Sequence, residues 1–229
     1  MGSSSASGVR IDKSDGGFRE SPPPFDLSAV LIRVLDVVFS VAGLIFIAPL
    51  MVFIAGLCWL QDKGPIFFSQ SRRGEGGRMF SCYKFRSMVV DADARLARLM
   101  AEDPAARLEW ETSHKLVEDP RITPWGRFLR KSSLDEIPQL LNVIRGDMSL
   151  VGPRPIVPGE VVRYGRFIKH YDSVRPGVSG LWQISGRSST LYRRRVALDV
   201  IFIRRRTVGL YLYILIATIP AVLLRRGAV

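Results

Sequence analysis

The residues most suited to chemistry are an adjacent pair of acids, Asp135 and Glu136, in a segment crowded with cations, residues 119–155. The cations that flank the pair are Arg121, Arg127, Arg130, Lys131, Arg145 and Arg154. An arginine presents a planar fork that matches a phosphate group, and a carboxylate can act as a nucleophile or bind Mg²⁺. This combination indicates a site for a phosphorylated substrate.

A structural role for the same acids is an open alternative. Ser133 and Glu136 have the spacing of a helix capping box, and the helix dipole favours acids in a first turn. A helix capped at Ser133 would place Pro138 fifth, where its missing N–H costs a hydrogen bond, whereas a cap at Asp135 places Pro138 third, where it costs little. The sequence therefore predicts Asp135 at a helix N-terminus, where backbone N–H groups favour an anion. On the residues alone, a cap and a catalytic pair remain equal alternatives.

Three motifs, in order along the chain, resemble the signature of the bacterial sugar transferase family, the small monotopic phosphoglycosyl transferases that act on polyprenyl phosphates. They are KFRSM at residues 84–88, the segment 119–155 (DPRITPWGRFLRKSSLDEIPQLLNVIRGDMSLVGPRP) and RPGVSGLWQISGR at residues 175–187. The resemblance extends from Ser28 to the C-terminus. It implies a mostly α protein with minor β structure (α+β), in which a proline-broken re-entrant membrane helix holds a cytoplasmic globular catalytic domain.

The resemblance also implies a reaction and a role for each acid. A hexose 1-phosphate would pass from a UDP-sugar to undecaprenyl phosphate with release of UMP, through a covalent bond to Asp135. Glu136 would hold the Mg²⁺ that neutralises the diphosphate. Neighbouring residues on a helix point about 100° apart, so two different tasks suit this pair better than a shared proton. The cations implied to stabilise the transferring phosphoryl group are Arg130, Lys84, Arg86 and Arg154.

Arg154 lies between two prolines that would fix its direction. Pro153 and Pro155 restrict the backbone of the turn at residues 152–155. The resemblance favours a turn that binds a phosphate or a nucleotide, and the alternative is a rigid turn with an incidental arginine.

Trp182, in the third motif, could stack on a base or a sugar, or it could fill the core.

A long apolar segment, residues 27–60, is predicted to enter the membrane. Residues 37–60 carry no charged side chain, and as a straight helix they would span about 36 Å, against a hydrocarbon core about 30 Å thick. Two features disagree with a simple span: Pro49 interrupts the segment, and cations flank both of its ends. We therefore expect a helix that breaks at Ala48 and Pro49 and returns to the cytoplasmic leaflet, as the resemblance also implies. Family members commonly have serine before this proline, so here the break depends on Pro49.

The composition fits one domain with a polyanionic partner. The chain has 229 residues, a net charge of +12 and 47% hydrophobic residues, so nucleic acid, an anionic membrane and phosphate esters are the candidate partners. Cys58 and Cys82 match no metal-binding spacing, and the place of Cys58 in the apolar segment argues against a disulfide and favours a reducing compartment. Given the resemblance, we expect UDP-sugar, undecaprenyl phosphate and membrane lipids as partners and no nucleic acid, and we leave a homodimer open.

Local patterns divide the remaining chain. Residues 1–26, rich in Ser, Gly and Pro, are predicted to be disordered, and residues 61–229 are assigned to the catalytic domain. Two short strands, 66–70 and 79–85, are predicted to form a hairpin, and helices are predicted at 89–100, 105–116, 161–171 and 193–203. Residues 207–224 form a second apolar helix, interfacial or packed on the protein, with Tyr211 and Tyr213 suited to an interfacial belt.

These expectations place the protein on the cytoplasmic face of the bacterial inner (plasma) membrane, where it would initiate an exopolysaccharide or O-antigen repeat unit. Leu181, Trp182 and Gln183 resemble family members that use galactose or glucose, which is analogy alone. The rival hypothesis is a basic, membrane-associated binding or scaffold protein without chemistry. It accounts for the charge and the apolar segment but gives no reason for two acids inside a cationic cluster.

Overall fold

The computed structural model describes residues 26–113, 116–186 and 191–223. The disorder predicted for residues 1–26 therefore falls outside the described part of the chain except at Asp26, as does Arg187 at the end of the third motif. The described residues are mostly helical, with one hairpin and one further pair of short strands. This confirms the predicted α+β class.

The first helix, α1 (Leu27–Asp62), is 36 residues long. The Asp26 side chain caps its N-terminus by accepting a hydrogen bond from the N–H of Ala29 at 3.2 Å, and a left-handed Lys63 (φ 52°) ends it. By its length and composition, α1 is able to cross a membrane. The helix continues through Pro49, so the predicted break and re-entrant course stay a prediction.

The two faces of α1 have different surroundings. Ile32, Asp36 and Ser40, which are spaced four residues apart, are buried against the rest of the protein, because positions i and i+4 share one face of a helix. The opposite face keeps large apolar side chains in the open, and Phe46, for example, is 86% exposed. An exposed apolar surface of this kind is typical of a contact with a membrane or with another protein.

A β-hairpin follows α1 and leads into the first motif. β1 (Phe67–Arg73) and β2 (Met79–Phe85) pair antiparallel. Gly76 and Gly77 in the tight turn between them have φ values of 66° and 75°, which favour glycine because it lacks a Cβ. The predicted hairpin is confirmed. Lys84 is the next-to-last residue of its second strand.

The rest of the described chain consists of short helices and one parallel strand pair. The elements are α2 (Ala92–Glu102), α3 (Pro104–Ser113), α4 (Pro124–Ser132), α5 (Gln139–Arg145), β3 (Ser149–Val151), α6 (Val161–Tyr164), α7 (Ile168–Asp172), β4 (Gly177–Ser179), α8 (Leu181–Ile184), α9 (Tyr192–Arg204) and α10 (Val208–Leu223). β3 and β4 pair in parallel. The helix predicted at 161–171 is interrupted at Gly165, whose φ of 50° begins a 3-10 turn between α6 and α7. The other three predicted helices correspond to α2, α3 and α9.

Asp36 joins α1 to two other elements of the domain. Its buried Oδ1 accepts hydrogen bonds from Ser149 Oγ at 3.0 Å, from the N–H of Leu150 at 2.8 Å and from the Tyr211 hydroxyl at 2.9 Å. Hydrogen bonds to a buried carboxylate are among the stronger ones in proteins. One side chain of α1 therefore holds β3 and α10 together.

Arg33 makes a second attachment one turn earlier on α1. Its guanidinium donates to the carbonyls of Val143 and Ile144, at 2.7 Å and 2.9 Å. Both carbonyls lie in the last turn of α5, where the Val143 carbonyl also accepts a hydrogen bond from the N–H of Gly146 at 3.1 Å. The apolar helix is thereby fixed to the segment that follows the acidic pair.

The second apolar helix, α10, packs on the protein along one face. Tyr211 is 0% exposed and Tyr213 is 62% exposed, and the two side chains face opposite sides of the helix. The prediction that Tyr211 belongs to an interfacial belt is wrong, because its hydroxyl is buried against Asp36. Cys58 and Cys82 are both buried and free.

Candidate active site

The acidic pair lies in a tight turn between two helices. Ser133 ends α4 in a left-handed conformation (φ 58°), a single 3-10 turn follows at Leu134–Glu136, and α5 begins only at Gln139. The prediction that Asp135 caps an α-helix is therefore wrong. Ser133 stops one helix without a side-chain cap, and Pro138, which has no N–H to donate, stands directly before the next.

Lys84 bridges the two acids. Its Nζ lies 2.6 Å from Glu136 Oε1 and 3.6 Å from Asp135 Oδ2. The lysine reaches the pair from the end of β2, so the first and second motifs form one site. The carboxylates converge on one ammonium group although their residues are adjacent in the chain.

The surroundings give the two acids different electrostatic properties. Asp135 is 7% exposed, and burial raises its pKa to about 6, although Lys84 and Arg130 oppose the rise. Burial also acts to raise the pKa of Glu136, but Lys84 and Arg154 outweigh it and hold that pKa below its usual value. Asp135 is thus a poorly solvated carboxylate that is still mostly ionised at neutral pH, which suits a nucleophile. Glu136 stays an anion, which suits a cation ligand.

One cleft of about 1070 Å³ brings together most of the predicted site residues. Those that line it are Lys84, Arg86, Arg130, Asp135, Glu136, Arg154 and Pro155. Pro153 instead ties the turn to β4, since its carbonyl accepts a hydrogen bond from the N–H of Gly177 at 2.8 Å. Ala48 and Pro49 lie on α1 beside Ile47, which reaches the cleft. The cleft is therefore cationic around the acids and bounded by an apolar helix.

Arg86 has a partner set of its own at the end of α1. It donates to the carbonyl of Cys58 at 3.1 Å and pairs with Asp62, so it anchors the C-terminal turns of α1 to the residue that follows β2. Its Nη1 is buried without a hydrogen-bond partner among the described residues. Arg130, in contrast, is bonded to Ser87 Oγ at 2.9 Å. A role for either guanidinium in binding phosphate stays a prediction.

Tyr171 holds the turn that carries Arg154, and sequence reasoning missed it. The buried hydroxyl donates to the carbonyl of Arg73 at 2.8 Å, lies 3.3 Å from the carbonyl of Arg154, and accepts from the N–H of Ile156 at 3.2 Å. The turn is thereby fixed to β1, while the Arg154 side chain remains exposed. No local signal could have identified Tyr171, because its partners are far away in the sequence.

Trp182 belongs to both the core and the cleft. The ring is nearly fully buried, as the core alternative predicts, and the guanidinium of Arg195 lies 4.6 Å from the ring centroid. Both residues line the cleft together with Arg72 and Gln183. The Oε1 of Gln183 is buried and has no hydrogen-bond partner in the described part of the chain, so it is available to a hydroxyl or N–H of a ligand.

The acidic pair fits a magnesium ion that is shared with a substrate. In the part of the chain that the structure describes, no three His, Cys, Asp or Glu side chains cluster as metal ligands. Mg²⁺ usually binds through one or two carboxylates together with substrate phosphates and water. The ionised carboxylate of Glu136 at the cleft wall meets this requirement. Glu136 is therefore the residue suited to hold the metal.

Known proteins match nearly the whole chain. The family model described as bacterial sugar transferase matches residues 27–225. The chain is 47% identical over 204 residues to the undecaprenyl-phosphate galactose phosphotransferase of Salmonella typhimurium, a match that covers 88% of this chain and 42% of that protein. It is 45% identical over 196 residues to the exopolysaccharide production protein ExoY of Sinorhizobium fredii, with 86% and 87% covered. It is 38% identical over 209 residues to the undecaprenyl-phosphate glucose phosphotransferase of Komagataeibacter xylinus, with 86% and 36% covered. The chain thus spans less than half of two of these relatives and most of the third.

Proposed function

Because this chain belongs to the bacterial sugar transferase family, we propose that it transfers a hexose 1-phosphate from a UDP-sugar to undecaprenyl phosphate and releases UMP. The names of two relatives, a galactose and a glucose phosphotransferase that act on undecaprenyl phosphate, support this reaction class. The ExoY relative supports a place in exopolysaccharide synthesis. The reaction would start a repeat unit of an exopolysaccharide or an O-antigen.

In the first half of the reaction, a carboxylate oxygen of Asp135 attacks the phosphorus that bears the sugar. The phosphorus–oxygen bond to UMP breaks, and UMP leaves with the electron pair. Lys84 already contacts the Asp135 carboxylate and remains beside the charge as it moves to the phosphoryl oxygens. Arg130 and Arg154, which line the same cleft, add positive charge. Bound Mg²⁺, held by Glu136, would neutralise the diphosphate.

In the second half, a phosphate oxygen of undecaprenyl phosphate attacks the same phosphorus. The bond from phosphorus to Asp135 breaks, and the carboxylate is restored. The lipid product carries a diphosphate linked to the hexose. Because one product leaves before the second substrate reacts, the kinetics are ping-pong.

The apolar helix explains how the two substrates meet. UDP-sugar is dissolved in the cytoplasm, whereas undecaprenyl phosphate keeps its phosphate at the membrane surface. Arg33 and Asp36 fix α1 to α5 and β3, and α5 follows the acidic turn directly. A shallow helix that breaks at Pro49 would hold Asp135 at the cytoplasmic surface of the inner membrane.

The sugar is proposed to be galactose or glucose. The two hexoses differ in the direction of one hydroxyl, so a fixed acceptor in the cleft can separate them. Gln183 Oε1 is such an acceptor, since it is buried and unpaired among the described residues. Initial rates with a panel of UDP-sugars, for the unmodified protein and for Gln183→Ala, measure this preference.

The observation that carries the proposal is the burial of the Asp135 carboxylate at a cation-lined cleft. A nearly buried carboxylate stands at the wall of a cation-lined cleft, beside Lys84, in the position that matches the family motif. A basic binding or scaffold protein has no need of a poorly solvated carboxylate among arginines, since burying it costs free energy.

The test measures UMP release from UDP-galactose and UDP-glucose by purified protein with Mg²⁺, together with the mass of the intact protein. We expect Asp135→Asn to lower turnover by roughly 10³-fold or more and to abolish the covalent adduct. Glu136→Gln should act chiefly through the dependence on metal concentration. Asp91→Asn, which removes an exposed carboxylate from the start of α2, is the matched control. Near-normal turnover in Asp135→Asn would show that another group is the nucleophile, and no UMP release by the unmodified protein would favour a binding protein.

A further inference from the structure

A second pocket, separate from the cleft, lies between α1 and α4. Its volume is about 170 Å³. Its walls include Leu50, Phe53 and Leu57 of α1, Trp125 and Phe128 of α4, and Leu134. The polar groups of its lining residues are the thiol of Cys58 and the indole N–H of Trp125, and the atoms that face the pocket are apolar. A pocket with this lining offers no hydrogen bond to a polar ligand and instead favours a hydrocarbon.

The pocket and the catalytic cleft share one wall. Leu134 lines both of them and directly precedes Asp135 in the 3-10 turn. Consecutive Cα atoms are about 3.8 Å apart. A ligand in the pocket that carried a phosphate at one end could therefore place that phosphate beside the nucleophile.

We propose that this pocket binds the first isoprene unit of the acceptor lipid, an assignment that rests on the proposed function. A cavity of about 150 Å³ lined by Leu, Ile and Phe binds a molecule of the size of benzene, so the volume here suits about one five-carbon unit. Phe53, Trp125 and Phe128 are partly exposed at the rim. The rest of the tail leaves the pocket past these side chains, towards the bilayer.

The apolar end of the cleft is the competing location for the tail. Ile47 of α1 and Ala221 of α10 line the cleft, but so do charged side chains such as Arg154 and Glu136, which would lose water to a hydrocarbon chain. The pocket between α1 and α4 imposes no such cost. One residue of its wall, Leu134, directly precedes Asp135. A lipid bound there would have its first carbon atoms held close to the nucleophile.

The kinetic test compares two tryptophan substitutions on α1. Leu50→Trp places an indole in the pocket, and we expect the KM for undecaprenyl phosphate to rise about tenfold or more. The burst of UMP from UDP-sugar without acceptor reports the first half-reaction separately. Val52→Trp makes the same change at a position that is 72% exposed and outside the pocket, and its KM should match that of the unmodified protein. An unchanged KM in Leu50→Trp would overturn the assignment, as would an equal rise in both variants, which would indicate a general effect of lipid packing.

Photocrosslinking tests the location without turnover and without a mutation. The probe is a farnesyl phosphate with a photoreactive diazirine on its first isoprene unit, added to the full chain in nanodiscs of phosphatidylglycerol and phosphatidylethanolamine. Crosslinks to residues 50–58 or 125–134, competed by undecaprenyl phosphate, would support the assignment. Crosslinks to α10, or crosslinks that undecaprenyl phosphate does not reduce, would refute it. A protein that releases no UMP yet shows the competed crosslinks would contradict the proposed function and leave the lipid pocket standing.

Discussion

Asp199 is a buried carboxylate that we expect to make the folded protein less stable as the pH rises. It is 1% exposed on α9. Its Oδ2 accepts a hydrogen bond from the Tyr164 hydroxyl at 2.7 Å, and its Oδ1 has no hydrogen-bond partner among the described residues. Burial raises the pKa of Asp199 to about 7, although Tyr164 and Arg195 oppose the rise. Substitution by asparagine keeps the shape and the acceptor for Tyr164 but removes the titration.

The size of the effect follows from the two pKa values. An ordinary aspartate has a pKa of 3.8, so between pH 4 and pH 7 the folded protein holds a proton that the unfolded chain has released. The stabilisation is complete below the lower pKa and is lost as the pH rises through the higher one. One pKa unit corresponds to about 1.4 kcal/mol, and the part of the change between pH 5 and pH 8 amounts to about 3 kcal/mol.

The assay is urea unfolding in detergent micelles from pH 5 to pH 8, followed by tryptophan fluorescence. The measured quantity is the difference in free energy of unfolding between Asp199→Asn and the unmodified protein, because other titrating groups cancel in it. We expect this difference to shift in favour of the variant by about 3 kcal/mol across the range. Glu102→Gln, at the exposed end of α2, controls for the loss of one negative charge. A difference that stays constant with pH would refute the argument that Asp199 is buried and poorly compensated.

Three further predictions concern the site and α1. Arg154→Ala should raise the KM for UDP-sugar about tenfold or more with little change in the thermal unfolding midpoint, and lysine should restore only part of the loss because it lacks the planar fork; equal losses in KM and stability would favour the rigid-turn alternative. Tyr171→Phe should cost about 1–3 kcal/mol of stability, because it leaves buried backbone groups unpaired, and it should also raise the KM for UDP-sugar. Tyr164→Phe should lower the stability without changing this KM. If both variants had the same KM, Tyr171 would have no role in positioning Arg154. In spheroplasts, an impermeant thiol reagent should not label a cysteine placed before α1 when Pro49 is present. The same cysteine should be labelled in Pro49→Leu, because the unbroken helix of this variant is able to span the membrane. Labelling without the Pro49 substitution would exclude the re-entrant course.

The hairpin and the longest helices, α1, α2, α3, α9 and α10, could be predicted because their signals are local. Two short segments joined by the Gly-rich, basic turn at residues 72–78 indicate β1 and β2, and apolar residues at helical spacing after residue 89 indicate α2. The family motifs predict that Lys84, Asp135, Glu136 and Arg154 lie close together, and all four line one cleft. Their roles stay a prediction.

The errors arose where contacts with distant residues, or a residue that ends a neighbouring helix, determine the structure. Asp135 was expected to cap a helix because spacing alone does not reveal that Ser133 adopts a left-handed conformation. Tyr211 was expected at the membrane interface because no residue near it in the sequence indicates that Asp36 is its hydrogen-bond partner. Tyr171 and the pairing of Arg86 with α1 depend in the same way on residues brought close only by the fold.

With α1 in a lipid bilayer as proposed, its attachment through Arg33 and Asp36 ties the position of Asp135 to the bilayer. These bonds leave little freedom for the apolar helix to tilt without carrying α5, and with it the acidic turn, along. A helix in a bilayer that is too thin or too thick adjusts by tilting, at a cost of a fraction of a kcal/mol per Å. Here such an adjustment would raise or lower Asp135 relative to the phosphate plane of the lipids. We therefore expect the hydrophobic thickness of the bilayer to act as a control on the second half-reaction, while UMP release continues unaffected.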